Sequence, residues 1–198
     1  ISSVNGSLAN QVYSILTEEK ERPEDLAKEE TFEIVLVWIN RLLFIKLFEG
    51  QLISFNRDCP EYRILDNDKI KDFQEVQYLF FDVLGKRERD DTSFLKQFEQ
   101  VPYLNSSLFE RYEVETKYVN IREVKNEPIK KKKASVLGKK SPDNIPLLEY
   151  IIDFLNAFSF TEQNVNEDEK IIFSEIIDAS LLGLIFEILK FEFSGKRI

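Results

Sequence analysis

The sequence predicts a mainly α fold, a multi-helix bundle around one central apolar helix with a minor β element. Three observations carry that expectation. Apolar residues recur at helical spacing through most of the chain. One stretch, Phe32 to Phe55, is apolar on nearly every face, as a helix wrapped by others must be. Proline, glycine and acidic residues also stand where helices start and stop. At 198 residues the chain is long enough for a real core and reads as a single helical domain over residues 1–198. It begins at Ile1 and contains no Met, so it reads as a fragment of a longer chain.

The first amphipathic segment runs from Leu8 to Lys20, with Leu8, Val12, Ile15 and Leu16 on one face. Pro23, followed by Glu24 and Asp25, marks the start of the next helix, because proline suits the first turn and acids complement the helix dipole. That helix extends to Phe55 and carries Ile34, Val35, Trp38, Ile39, Leu42, Leu43 and Ile45. Of its charged residues, Lys46 and Glu49 stand at i,i+3 and predict an intrahelical pair. The functional alternative is a buried charge poised to hold a ligand.

A third helix is expected over Asp68 to Leu84, with Gly85 as its C-terminal stop. The charged stretch Lys86 to Ser93 reads as a loop and Phe94 to Gln100 as a short helix halted by Pro102. Ser107 to Glu110 has the capping-box form. From Tyr112 to Val124 the pattern looks closer to strand, and a short hairpin is expected there. A Lys-rich loop follows over residues 125–145, then a strongly apolar helix, Leu147 to Phe158. Glu162 to Glu169 reads as an acidic linker and Ile171 to Phe193 as the last helix. There is no internal repeat.

Composition excludes several kinds of chemistry. With no His, no Ser-His or Cys-His nucleophile pair exists and no imidazole acts near neutral pH. One Cys rules out a disulfide framework, and Cys59 without an activating His reads as a structural thiol. The six glycines are scattered singly, so no phosphate-cradling glycine loop is present. No apolar run reaches the ~20 residues of a membrane span, since Val35 to Phe48 is broken by Asn40, Arg41 and Lys46. A cytoplasmic location and no membrane partner are the expectation.

Net charge is −9, which does not suit a protein that wraps nucleic acid over its whole surface. The balance is uneven, however. Lys117 to Lys140 holds nine basic residues against two acidic ones. Lys130, Lys131, Lys132, Lys133, Lys139 and Lys140 are candidate contacts to DNA phosphate, acting as mobile point charges with sequence-blind, salt-sensitive affinity. A solvated loop is the bland alternative, and no aromatic residue lies among them to stack bases.

Two catalytic patterns fall short. Gln100-Val101-Pro102-Tyr103 lacks the leading Asn or Asp and the second proline of a methyltransferase N-P-P-Y loop. Glu115-Thr116-Lys117 has the acid-x-Lys form by which some nucleases hold Mg²⁺ and steady a water. The same form recurs at Glu18/Lys20, Glu123/Lys125 and Asp168/Lys170, and no Pro-Asp strand turn precedes Glu115 to supply the second carboxylate. A solvated strand face is the expected role there.

More specific are longer stretches, in order: WINRLLFIKLFEGQLISF (Trp38 to Phe55), FQEVQYLFFDVLGKR (Phe73 to Arg87), FEQVPYLNSSLFE (Phe98 to Glu110), PLLEYIIDFLNAFSF (Pro146 to Phe160) and LLGLIFE (Leu181 to Glu187). Together they resemble the helical connector region of single-chain type IIG restriction-modification enzymes, which join an endonuclease to an adenine-N6 DNA methyltransferase. VPYLNSSLFE is the most specific piece. The resemblance implies a non-catalytic domain that positions the methyltransferase and nuclease domains of the same chain on double-stranded DNA. It also implies S-adenosylmethionine and Mg²⁺ as cofactors of the parent enzyme. None is expected in this chain, because after Glu187 the sequence lacks the G-x-[FY]-T-P loop that helps hold S-adenosylmethionine in similar proteins. A helical protein-interaction domain without a DNA role is the alternative.

Overall fold

The structure, a computed structural model, describes residues 6–130, 135–137, 143–160 and 173–176. It is mainly helical with a minor β element, as the sequence predicts. Helix α1 (Leu8–Ser14) starts at Ser7, whose hydroxyl accepts from the Asn10 amide. It then widens into a π-helical turn over Ile15–Glu19. Leu8, Val12, Ile15 and Leu16 are all buried, which is the face read from their spacing.

Helix α2 (Glu24–Phe55) has 32 residues, about 48 Å at 1.5 Å per residue. Its apolar residues do surround the axis, but only one stripe is fully buried. That stripe runs Ala27, Thr31, Ile34, Trp38, Arg41, Leu42, Ile45, Lys46 and Glu49, so it includes every charge in the second half of the helix. Val35, Leu43, Phe44, Leu47 and Phe48 pack against the core from half-buried positions. Beyond Asn56 the chain reverses through Arg57 and Asp58, both in the left-handed region at φ 58° and 59°.

Helix α3 (Phe73–Tyr78) starts later than the expected Asp68. The cause is local: the Asp72 carboxylate accepts from the Glu75 amide at 2.9 Å, while the Glu75 carboxylate accepts from the Lys71 amide at 2.5 Å. This reciprocal cap fixes the helix start. The helix widens into a π-helical turn over Leu79–Leu84 and stops at Gly85. Gly85 has φ −90°, so a left-handed cap is not its role. A Cβ there would lie 2.6 Å from the Phe109 carbonyl oxygen and 3.0 Å from that of Phe80. Glycine is required because two stretches of backbone meet at this point.

Helix α4 (Ser93–Lys96) is capped by the Thr92 hydroxyl and continues as turns to Gln100. The capping box expected at Ser107 is absent. Ser106 caps a single 3₁₀ turn over Ser107–Phe109, and Glu110 is extended. The hairpin expected over Tyr112 to Val124 is also wrong. Residues Glu113–Lys117 form helix α5 and Ile121–Glu123 form a 3₁₀ turn. In each turn the glutamate at the third position reaches back to the preceding amide, Glu115 to Tyr112 and Glu123 to Asn120. Val114 to Tyr118 is an i,i+4 step and Ile121 to Val124 an i,i+3 step, so the spacing is helical over turns too short to show it.

The minor β element lies instead at the ends of the Lys-rich loop. Strand β1 (Pro128–Lys130) pairs antiparallel with β2 (Asn144–Pro146), setting Ile129 opposite Ile145. Both isoleucines are buried. Helix α6 (Leu147–Asn156) follows, ending two residues before the expected Phe158. Phe158–Ser159 forms β3, parallel to β4 (Phe173–Ile176). The expected last helix is thus replaced by strand at Phe173–Ile176. The linker Glu162 to Glu169 and residues 177–193 of that expected helix lie outside the described residues.

Gly85→Ala is expected to destabilise the domain by about 1–3 kcal/mol, the usual range for an added carbon in a close-packed site. Equilibrium urea denaturation followed by Trp38 fluorescence measures it, with a fall in midpoint as the outcome.

Candidate functional site

Two buried charge clusters organise the core, both built on α2. In the first, Arg41 is fully buried at 0% exposure and Glu115 is at 2%. The guanidinium donates to both carboxylate oxygens, Nη1 to Oε1 at 2.5 Å and Nη2 to Oε2 at 2.8 Å. Its Nε also donates to the Leu108 carbonyl and Nη2 to that of Glu110, each at 2.7 Å. The Trp38 indole donates to Glu115 Oε1 at 2.7 Å, and the Tyr112 amide donates to Oε2 at 3.1 Å. The rings of Phe80, Phe81 and Tyr112 stand 5.0–5.4 Å from the guanidinium carbon. Both ions are paired, hydrogen-bonded and enclosed by aromatic rings, which is the arrangement that makes such a pair tolerable away from water.

The second cluster bears out the Lys46–Glu49 pair and adds to it. Lys46 Nζ donates to Glu49 Oε1 and, at 2.7 Å, to Asn156 Oδ1 on α6. Glu49 Oε2 accepts the amides of Ile64 and Leu65 at 2.6 and 2.7 Å. Asn156 closes the ring by donating to the Leu65 carbonyl. It ties α2, the Ile64–Leu65 crossing and α6 together.

A third tie comes from the charged stretch that reads as a loop. Arg89 donates to the carbonyls of Val83, Phe98 and Val101. Partial burial pushes its pKa below the ordinary arginine value. Val101, the second residue of the failed N-P-P-Y match, is therefore a structural acceptor.

The Glu115/Lys117 pair is taken apart by the fold. Glu115 points inward and is neither the expected solvated strand residue nor a metal ligand, since its oxygens are filled by Arg41, Trp38 and the Tyr112 amide. Lys117 is on the surface, paired with Glu113 at i,i+4. Their mutual hydrogen bond holds the Glu113 carboxyl below its usual range and Lys117 above its own. Among the described residues no group of three or more His, Cys, Asp or Glu side chains could hold a metal ion. Likewise, no helix there is long and apolar enough to cross a membrane.

Of the six lysines singled out for phosphate contact, Lys130 is exposed on β1 opposite Asn144. Lys131, Lys132, Lys133, Lys139 and Lys140 lie outside the described residues. The base of their loop is firmly tied. Gln11 exchanges two hydrogen bonds with the backbone of Lys125, at 2.8 and 3.0 Å. Asn126 donates to the Lys71 carbonyl and accepts from the Leu148 amide. Ser135 meets the Tyr150 hydroxyl at 3.3 Å, and Leu137 is buried.

A family model described as a domain of unknown function, DUF7814, matches residues 4–173. The chain belongs to the DUF7814 family. The match runs from just before α1 into β4, so both charge clusters, the Arg89 tie and the whole Lys-rich loop fall inside the DUF7814 domain. No curated protein and no solved structure matches the chain.

Sequence reasoning misses the Arg41–Glu115 and Arg89 ties. Their one signal is a charge in an otherwise apolar helix, which must find an anion or carbonyls if it is buried. Glu115→Ala is expected to destabilise the DUF7814 domain by about 3–5 kcal/mol, because it leaves Arg41 buried and uncompensated. The double change Arg41→Met/Glu115→Leu should cost less than the two single changes added together. Denaturant midpoints for the single and double variants, read on Trp38, test both statements.

Proposed function

We propose that this DUF7814 chain is the non-catalytic helical domain of a type II restriction-modification enzyme, one that carries an adenine-N6 DNA methyltransferase and a nuclease. Its task there is to position those domains on the duplex. The observation that carries the reading is where the resemblance falls. The most specific piece, VPYLNSSLFE (Val101 to Glu110), is bound to the central helix by Arg41 through the Leu108 and Glu110 carbonyls. Trp38 to Phe55, Phe73 to Arg87 and Pro146 to Phe160 supply much of the core around it. The described stretches that resemble the connector thus contribute much of the buried support. The described charge clusters are hydrogen-bonded among themselves and to buried backbone.

In this reading S-adenosylmethionine and Mg²⁺ belong to the partner domains of the same polypeptide, and no residue of this chain is assigned to either. The duplex is met by the Lys-rich loop, with Lys130 to Lys133, Lys139 and Lys140 on the phosphates. The setting is cytoplasmic, where such enzymes act in bacterial defence.

Two measurements test it. Reading the gene downstream should reveal G-x-[FY]-T-P and N-P-P-Y motifs, and their absence would overturn the assignment. Binding of the 198-residue chain to a labelled duplex should weaken steeply with salt. Changing Lys130 to Lys133 together to Ala should reduce the slope of log affinity against log salt by roughly 3–4, at about 0.9 for each phosphate no longer neutralised. An unchanged slope would remove the loop from the interface.

A further inference from the structure

A groove of about 560 Å³ opens between α1, α2, β1 and α6, within the roughly 300–1,000 Å³ of small-molecule sites. Eleven of its fourteen lining residues are apolar. Leu42 and Leu155 are buried in it, while Ile39 and Phe154 form its lips at 39% and 36% exposure. Apolar walls held open to water in this way forfeit the hydrophobic free energy that a bound apolar group would recover.

The three polar lining residues, Ser7, Lys130 and Tyr150, gather at the end nearest the β1–β2 sheet. Lys130 stands on β1 opposite Asn144, just before α6, and Tyr150 completes the first turn of α6. Ser7 comes to the same place because its neighbour Gly6 packs on Ile129, where a Cβ would lie 3.5 Å from the isoleucine side chain. The opposite end lies where Lys46 of α2 meets Asn156 of α6. Leu42, Leu43, Phe154 and Leu155 line that end, and all four are apolar. Each polar group at the sheet end can donate a hydrogen bond. Lys130 is an exposed ammonium with three donors. The Ser7 hydroxyl accepts from the Asn10 amide, which leaves its proton to be donated. The Tyr150 hydroxyl stands 3.3 Å from Ser135 Oγ and is donor or acceptor there. The groove is thus itself amphiphilic, with donors and one positive charge at one end and hydrocarbon at the other.

We propose that the groove binds a fatty acid, with the carboxylate beside Ser7, Lys130 and Tyr150 and the straight apolar chain lying along α6. Charge complementarity selects the head group, since the lining holds one cation and no acidic residue. The walls select the tail. The ten residues of α6 span about 15 Å, which an extended dodecanoate chain matches. A second copy of this protein is the weaker occupant, because fourteen lining residues fall short of the roughly 20–30 a side of a stable interface between proteins. The proposal goes beyond the DNA reading and shares only Lys130 with it. Duplex binding rests on the lysine run and fatty-acid binding on the groove, so either can fail while the other stands.

Titration calorimetry on the 198-residue chain with octanoate, decanoate and dodecanoate, each below its micellar concentration, tests this. One dodecanoate should bind per chain, and affinity should rise about fourfold for each added methylene. Dodecanol should bind more weakly than dodecanoate. Lys130→Ala should weaken dodecanoate by up to about fivefold, the range of an exposed ion pair, and leave dodecanol unchanged. Ala9→Trp fills the groove from α1 and should abolish binding. Ile39→Glu sets a carboxylate against the chain from the lip and should do the same, which covers the case in which the tryptophan variant does not fold. Circular dichroism confirms that each variant read is folded. Absent binding, affinity indifferent to chain length, or dodecanol bound as tightly as dodecanoate would overturn the proposal. So would dodecanoate binding that survives in a folded Ala9→Trp or Ile39→Glu chain. A dimer that Ile39→Glu dissociates, with no dodecanoate bound by either form, would assign the groove to a second copy instead.

Discussion

Taking a guanidinium and a carboxylate out of water costs several kcal/mol for each ion, and the centre of this domain is arranged so that Arg41 and Glu115 recover that cost together. Several other constraints in the middle of the chain follow from their contact. Glu115 can reach Arg41 only if α5 lies against the middle of α2, where Trp38 also presents its indole to the same carboxylate. Arg41 can satisfy its remaining donors only if Leu108 and Glu110 turn their carbonyls inward. The backbone from Leu108 to Glu115 is thereby set to within hydrogen-bond tolerance. Gly85 then has to be glycine, because the Phe109 carbonyl held in this stretch occupies the space a Cβ would need.

Such ties are needed because the chain between α2 and α6 has little regular structure apart from α3. Helices α4 and α5 have four and five residues, too short to be stable in isolation or to satisfy most of their own backbone groups. Buried carbonyls and amides in such a region must find other partners. Three charged side chains provide them. Arg41 takes two carbonyls, Arg89 takes those of Val83, Phe98 and Val101, and Glu49 takes the Ile64 and Leu65 amides. The domain uses long-range side-chain-to-backbone hydrogen bonds where a conventional bundle would use longer helices.

This division also explains what is legible in the sequence. Helix α2 can be read because its pattern repeats over roughly nine turns at 3.6 residues each and needs no knowledge of the rest of the chain. The same holds for the α1 face and the Lys46–Glu49 pair, which are local by nature. Tyr112 to Val124 misleads because one helical turn and one 3₁₀ turn, joined by extended residues, mimic alternation over so short a window. Glu115 is misplaced for a related reason: its partner lies 74 residues away, and the acid-x-Lys spacing around it is silent about that. The strand at Phe173–Ile176 likewise depends on an edge offered by β3, which overrides helical spacing in the segment itself. The two short strands at 128–130 and 144–146 are not visible in the composition that marks the Lys-rich stretch between them.

That closed base bears on how sequence-blind charge could serve a positioning role. A run of lysines on a slack tether attracts phosphate without fixing where the protein sits. Here the run begins at Lys130, on a strand whose neighbour Ile129 is buried opposite Ile145. The two residues at the loop's entry, Lys125 and Asn126, are tied to α1, to the Lys71 carbonyl and to the first turn of α6. The distance between the loop's two ends is therefore set by the same core that Arg41 and Glu49 hold together. Any force the loop takes up on a DNA backbone would be passed to α1 and α6, and through Asn156 and Lys46 to the central helix. The proposed connector role needs that property, since a connector aligns its neighbours only as well as its own charged surface is fixed to its core.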